Sequence, residues 1–451
     1  MPRFTDTIAA LATARGTSAI ALIRVSGPEA ARVTGAIFGL VPPARRATHA
    51  DYRDLAGATI DDALFTFFPA AGSYTGEDAV EISCHGNPFI VQKVLEDLFA
   101  RGCRAAQPGE FTQRAFLNGR MDLSQAEAVA DLIHARSDRA LAAANQLLRG
   151  GLGRRIQDLT DRLLGILAQI EAQIDFPEED LPAEDRESAR KAITRLLADT
   201  NRLLATSHYG ELLREGIRTV IVGAPNAGKS SLLNRLVGHE RAIVSEEPGT
   251  TRDFIEERIM AGPHGLRLVD TAGLNPTPGA VEKLGVEKSH AQMAGADLIL
   301  LVVELGAPLP DLPESAWSRF KPSRTLLVVN KCDLSRPQLD YSLPEGIPMV
   351  QVSAKTGLGI ETLVEQMIIM AGQIQTIDSE DFTVINARHA DALSHAMAGL
   401  NAAASQLAAN GHSELVASDL RGTLAAYGEI VGRIDNEQML DQLFAKFCIG
   451  K

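Results

Sequence analysis

Between Thr7 and about Phe116 the chain reads as short β-prone apolar runs, AIALIRVSG and DAVEISCHG among them. Gly and Pro turns cut these runs, and one stretch, VQKVLEDLFA, has helical spacing instead. That texture predicts a compact α+β domain. At Ser124 the period lengthens: Ser124 and Glu127 form a capping-box pattern ahead of a long Ala- and Leu-rich helix running towards Leu148. Helices then dominate to Leu213, and one of them sets Leu159, Leu163, Ile166, Leu167, Ile170 and Ile174 on a single face, which needs partner helices. The acidic, proline-broken stretch DFPEEDLPAED after it reads as a solvated interhelical turn or a binding loop, and no chemistry is assigned to it.

From about Gly216 to Ala371 strands and helices alternate. RTVIVG, LRLVD, DLILLVV, TLLVVN and PMVQVS are apolar throughout, as strands covered on both faces must be. Asp253 to Met260 and Leu266 to Asp270 form an expected antiparallel hairpin joined at AGPHG. After the polar linker QTIDSEDF, Ala- and Leu-rich helices return. The predicted architecture is therefore multidomain α/β: an N-terminal α+β domain over 1–118, a helical domain in two parts over 119–215 and 376–451, and an inserted Ras-like α/β domain over 216–375.

Composition narrows the class. A chain of 451 residues with 45% hydrophobic and 22% charged residues has the mix of a folded, multidomain soluble protein. A formal charge of −13 argues against coating nucleic acid by bulk electrostatics and leaves room only for a local basic patch. Cys84, Cys103, Cys332 and Cys448 form no CxxC pair, so reduced thiols in a cytoplasmic setting are expected, with neither zinc nor a disulfide framework. Asp6, Arg15 and Arg24 interrupt the apolar N-terminal stretches, so neither a signal peptide nor a membrane span is expected. Cys448 stands where a prenylated cysteine would, but Gly450 and Lys451 fit that signal poorly.

The chemistry lies at the strand ends of the central segment. GAPNAGKS (223–230) follows the strand TVIV and opens a helix. Its glycines let backbone N–H groups curl around phosphates, Lys229 reaches the outer phosphates and the Ser230 hydroxyl ligates Mg²⁺. Asp270, ahead of Thr271, Ala272 and Gly273, ends the next parallel strand and can hold the Mg²⁺ shell through water, while Gly273 N–H senses the terminal phosphate. Between them Thr251 supplies a hydroxyl that completes the metal shell only when a third phosphate is present. Asn330, Lys331 and Asp333 (NKCD) follow TLLVV, and a carboxylate there accepts two N–H bonds that guanine offers and adenine lacks. Ser353, Ala354 and Lys355 place a backbone N–H near the guanine carbonyl. GTP and GDP, not ATP, are the expected ligands. Leu274 stands where many small GTPases have a water-positioning Gln, so another group must orient the water; Glu282 is a candidate, with a solvated helix charge as the alternative reading.

These motifs, together with DTIAALAT, ALIRVSG, SYTGEDAVEISCHG, PGEFTQRAFLNGRMDLSQAEAVADLI, PGTTRD, DTAGL and the terminal FCIGK, resemble the MnmE (TrmE) family of tRNA-modification GTPases nearly end to end. The resemblance implies a homodimer through the N-terminal domains, with a tetrahydrofolate derivative (5,10-methylene- or 5-formyl-) bound there. By motif position Arg24, Glu81, Arg120 and Lys451 fall where the family contacts folate; on sequence alone all four are ordinary surface charges. It further implies G domains that pair around K⁺, with Asn226, the carbonyls of Ser245 and Glu247, and Thr250 as ligands, and Glu282 as the residue organising the attacking water. Nucleotide contacts then extend over Asn226, Ala227, Gly228, Lys229, Ser230 and Ser231, and over Ser245, Glu246, Glu247, Pro248, Gly249, Thr250 and Thr251, with Lys229, Thr251 and Glu282 catalytic. Glu246 and Glu247 replace the Asp-apolar pair usual in this loop, Asn275 stands where Arg often follows DTAGL, and Arg120 where Lys is common.

The implied activity is GTP hydrolysis coupled to wobble-uridine modification of tRNA, with the flavin- and NADH-using protein MnmG as partner and no membrane. The rival reading is a ribosome-associated switch GTPase that binds RNA and modifies nothing. Cys448 is readable as a nucleophile or as a structural thiol.

Overall fold

The computed structural model describes residues 5–175, 183–239, 255–270, 292–310, 317–334, 337, 345–374, 383–409, 411–432, 440, 443–445, 447 and 450. These fall into two compact units, one within Met1–Ala130, Leu147–Leu197 and His395–Lys451, the other within Asp131–Gln146 and Ala198–Ser394.

In the first unit, β1 (Ile8–Leu11), β2 (Ile20–Ser26), β3 (Thr48–Arg53), β4 (Thr59–Phe68), β5 (Ala79–His85) and β6 (Arg104–Ala105) make one sheet in the order β3-β4-β5-β2-β1-β6. Every neighbouring pair is antiparallel except β1 and β6. Period-two alternation sends Ile23, Val25, Phe65, Val80 and Ile82 to one face. There they pack with Val33 and Ile37 of α1 (Ala30–Phe38) and Val94 and Leu98 of α2 (Pro88–Ala100). The same alternation leaves Arg24 on the opposite face, directly across from Glu81. Helix α3 (Glu110–Leu117) follows β6.

The long helix expected from Ser124 towards Leu148 is two helices, α4 (Leu123–His134) and α5 (Asp138–Leu148). Its start also differs from the expectation. Asp122 accepts the Gln125 N–H at 2.9 Å while the Gln125 side chain accepts the Asp122 N–H at 3.0 Å, so the reciprocal box is Asp122 with Gln125. Ser124 instead donates its hydroxyl to Asp122, at 2.6 Å.

Helix α6 (Gly151–Asp175) buries Leu159, Leu163, Ile166, Leu167 and Ile170 as the spacing requires, joined by Leu152 and Ile156; Ile174 is half-buried. After α7 (Ala183–Leu204) and α8 (Ser207–Glu215) the chain enters the second sheet. Beyond that sheet come α10 (Ile360–Ile374), α11 (Ala387–Ala408) and α12 (Ser413–Val431). Helix α12 packs along α6, where Arg421 donates to Glu171 at 3.0 and 2.6 Å. Helices from before and after the central segment thus share one core, as an insertion demands.

The second unit holds β7 (Ile217–Gly223), α9 (Lys229–His239), β8 (Ile255–Ala261), β9 (His264–Asp270), β10 (Leu298–Glu304), β11 (Thr325–Asn330) and β12 (Met349–Gln351). The order is β12-β11-β10-β7-β9-β8, parallel throughout except for the expected β8–β9 hairpin. Val220, Val222, Ile299, Leu301, Leu327 and Val329 point to one core, and Ile221, Leu298, Leu300, Val302, Leu326 and Val328 to the other. Both faces are covered, which explains the unbroken apolar runs. Among the described residues no helix is long and apolar enough to cross a membrane.

Candidate functional site

Because β7, β9, β10, β11 and β12 run parallel, the loops leaving their C-terminal ends open on one edge of the sheet, where open α/β sheets bind ligands. The loop after β7 turns through two left-handed residues, Asn226 (φ 63°) and Gly228 (φ 92°), before α9 begins at Lys229. At Gly228 a Cβ would run into Asn330 Nδ2, so the glycine is needed for close approach as well as for its φ. Asn226 is exposed at the turn.

Lys229 is buried, and its ammonium donates to the Gly223 and Ala224 carbonyls at 3.0 and 2.9 Å. Burial lowers its pKa below the ordinary lysine value, partly opposed by Asp270. Ser230 donates its hydroxyl to Asp270 Oδ2 at 2.7 Å, so the two oxygens assigned to Mg²⁺ meet at one point. Asp270 is fully buried at the end of β9. The hydroxyl of Ser231 lies on the exposed side of α9.

Asn330 ties three loops together. Its Nδ2 donates to the Ala227 carbonyl at 2.9 Å, and its Oδ1 accepts the Ala354 N–H at 3.0 Å. Ser353 donates to Asp333 Oδ1 at 2.7 Å, holding the carboxylate beside the 353–355 loop. Lys331 has a left-handed φ of 65° and pairs with Glu304 at 2.6 Å. Sequence reading missed Arg235 of α9, whose Nε donates to the Ala354 carbonyl at 3.0 Å and whose Nη2 donates to that of Lys355 at 2.6 Å. Ser245, Glu246, Glu247, Pro248, Gly249, Thr250, Thr251, Thr271, Ala272, Gly273, Asn275, Glu282, Cys448 and Lys451 lie outside the described residues.

In the first unit Arg24 donates from Nε and Nη2 to Glu81 Oε1 at 3.0 and 2.6 Å, and from Nη1 to the Gly450 carbonyl at 3.2 Å. The guanidinium stands 5.8 Å from the Tyr74 ring centroid and 5.7 Å from that of Phe111. Arg120 donates to the Ala71 carbonyl at 3.2 Å. Three of the four folate candidates therefore sit around the loop that carries Tyr74, which Asn118 fastens by donating to the Thr75 carbonyl at 2.8 Å.

Behind that loop lies a second residue the sequence gave no sign of. Arg114 is fully buried and donates to the Asp6 carbonyl at 2.9 Å, and to Asp6, Glu110 and Glu77 carboxylates at 2.8, 2.9 and 3.2 Å. Burial pushes the Asp6 and Glu110 carboxyls up, and Arg104 and Arg114 outweigh it, holding both below their ordinary values. In the sequence this arginine is one charge among many on an amphipathic helix.

A phosphate loop on a central parallel strand, a hydrogen-bonded Ser–Asp pair at its mouth and an Asn–Asp pair beside an SAK loop define a P-loop protein of the guanine-nucleotide-binding class. The family described as GTP-binding protein TrmE N-terminus matches residues 7–120, and MnmE helical domain matches residues 123–448. The protein named tRNA modification GTPase MnmE in Opitutus terrae is 57% identical over 453 residues, covering all of both chains. Those of the same name in Symbiobacterium thermophilum and Akkermansia muciniphila are 44% and 43% identical, with 99% of each chain covered. The chain belongs to the MnmE family.

Proposed function

We propose that this protein is a GTP hydrolase of tRNA modification that forms, with a flavoprotein partner of the MnmG kind, the 5-carboxymethylaminomethyl or aminomethyl group on wobble uridine. The carbon comes from a tetrahydrofolate derivative, and the reaction is coupled to K⁺-stimulated hydrolysis in paired G domains of a homodimer. One observation carries the reading: a phosphate loop, a Ser230–Asp270 pair and an Asn330-tied guanine loop share one sheet edge in a chain that matches, over its whole length, relatives named for tRNA modification.

The residues fit the groups this activity needs. Ser230 and Asp270 converge on one point, the donor set of a hydroxyl and a carboxylate that suits Mg²⁺, with Thr251 assigned to complete the shell. Held by Ser230 and Asp270, Mg²⁺ would supply charge to offset that gathering on the phosphates. Lys229 is held by two carbonyls at hydrogen-bond length and transfers to phosphate oxygens, which are stronger acceptors for an ammonium. Asp333 reads the guanine edge, Asn226, Ser245, Glu247 and Thr250 are assigned to K⁺, and Glu282 orients the water that attacks the γ-phosphorus. Arg24 and Glu81, flanked by Tyr74 and Phe111, combine charged hydrogen-bonding groups with aromatic walls, which suits a planar pterin carrying donors and acceptors. Arg120 and Lys451 are assigned to the same ligand.

Calorimetric titration with 5-formyltetrahydrofolate tests the part that separates a modification enzyme from a nucleotide switch. The full chain is expected to bind it, and Arg24→Ala to bind at least about tenfold more weakly, since a charged hydrogen-bond donor is lost. A flat titration of the unsubstituted chain contradicts the reading and favours a switch that binds RNA without modifying it.

A further inference from the structure

Arg235 belongs to no nucleotide motif, yet it stands on the helix that the phosphate loop opens. From α9 it reaches two consecutive carbonyls of the loop after β12, Ala354 at 3.0 Å and Lys355 at 2.6 Å. On the other side of the same loop Asn330 holds the Ala354 N–H at 3.0 Å and the phosphate loop through the Ala227 carbonyl at 2.9 Å. Ser353 accepts the Thr356 N–H at 3.1 Å, and its carbonyl accepts the Gly357 N–H at 2.8 Å, which closes the turn. The loop is thus gripped at both ends of Ala354, its N–H by Asn330 and its carbonyl by Arg235.

We propose that Arg235 is a positioning residue for guanine recognition, holding the Ala354 and Lys355 carbonyls so that the Ala354 N–H, which gives to Asn330 Oδ1 here, is placed to pass to the guanine O6 when the base binds. A guanidinium is suited to this because its donors are fixed in one plane and span two neighbouring acceptors, whereas an ammonium is a single point charge. Without the fork both carbonyls lose their donor, the turn relaxes, and the N–H leaves the line to O6. Arg235 is assigned no contact with phosphate or base and acts through the loop alone. This inference rests on the reading that the Ala354 N–H meets guanine.

The base itself supplies the test, by competition against a fluorescent GDP analogue with the full chain. GDP and inosine diphosphate both carry O6, whereas 2-aminopurine riboside diphosphate lacks it. In Arg235→Ala, GDP and inosine diphosphate are expected to weaken about tenfold, the loss of one well-aimed hydrogen bond, while the 2-aminopurine nucleotide changes less than about twofold. Arg235→Lys, which keeps a cationic donor group but not the planar fork, should recover part of the loss, and the nucleotide-free thermal midpoint should hold within about 2 °C. Equal weakening of all three nucleotides would mean general damage to the phosphate loop, and unchanged GDP affinity would mean the fork is dispensable; either overturns the proposal. If the unsubstituted chain took up none of the three, the guanine reading itself would fall, before any variant was compared.

Discussion

Lys229 is a buried cation whose charge is supported by two carbonyls and by Asp270, with burial the larger influence on its pKa. Bound phosphates favour the ammonium, so nucleotide raises a pKa that the free protein holds low. Binding must then take up a proton wherever the free lysine is partly neutral, and affinity must fall as pH rises through that lowered pKa. Calorimetry of GDP binding in alkaline buffers of different ionisation enthalpy checks the sign: proton uptake with weakening affinity is expected, and proton release contradicts it. Residues of this kind were legible because phosphate and guanine chemistry needs Gly, Lys, Ser, Asn and Asp at fixed steps beside a strand end. Arg235 and Arg114 were not. Apart from Glu110, four positions before Arg114 on its own helix, their partners lie 37, 108 or about 120 positions away, and no local spacing announces those contacts.

Strands announced themselves better than helix ends. The runs around Ile221, Leu300 and Val328 are buried on both faces and admit only apolar residues, so five sheet strands could be read directly. The break between α4 and α5 was hidden, because Ala and Leu continue at helical spacing across it while Ser137 restarts the backbone pattern. Ser137 accepts the Ala140 N–H on its hydroxyl at 3.1 Å, and the Leu141 N–H on its carbonyl at 2.9 Å. The start of α4 was misread for a related reason: two overlapping box patterns exist, and Asp122 with Gln125 satisfies the helix-start donor. Asp122→Ala should therefore cost about 1 kcal/mol and lower the thermal midpoint, whereas Ser124→Ala, which removes a donor to Asp122 and no cap, should cost less. A melt in which Ser124→Ala is the more damaging of the two reverses the assignment.

At the scale of the molecule, α6 and α12 belong to one core although the nucleotide-binding segment separates them in sequence. That topology was visible as helical texture returning after an α/β stretch. The folate candidates were not visible by any physical signal, since Arg24, Glu81 and Arg120 read as surface charges until the sheet places Arg24 opposite Glu81 and between two aromatic rings. The family resemblance alone had singled them out. The central claim, that guanine-nucleotide chemistry at one sheet edge serves modification of tRNA, is tested by mass spectrometry of wobble nucleosides. The measurement compares cells lacking the gene with the same cells complemented by the natural chain or by Lys229→Ala. The natural chain should restore the substituent at uridine C5 and Lys229→Ala should leave the position unsubstituted. Full restoration by Lys229→Ala, or none by the natural chain, contradicts the account.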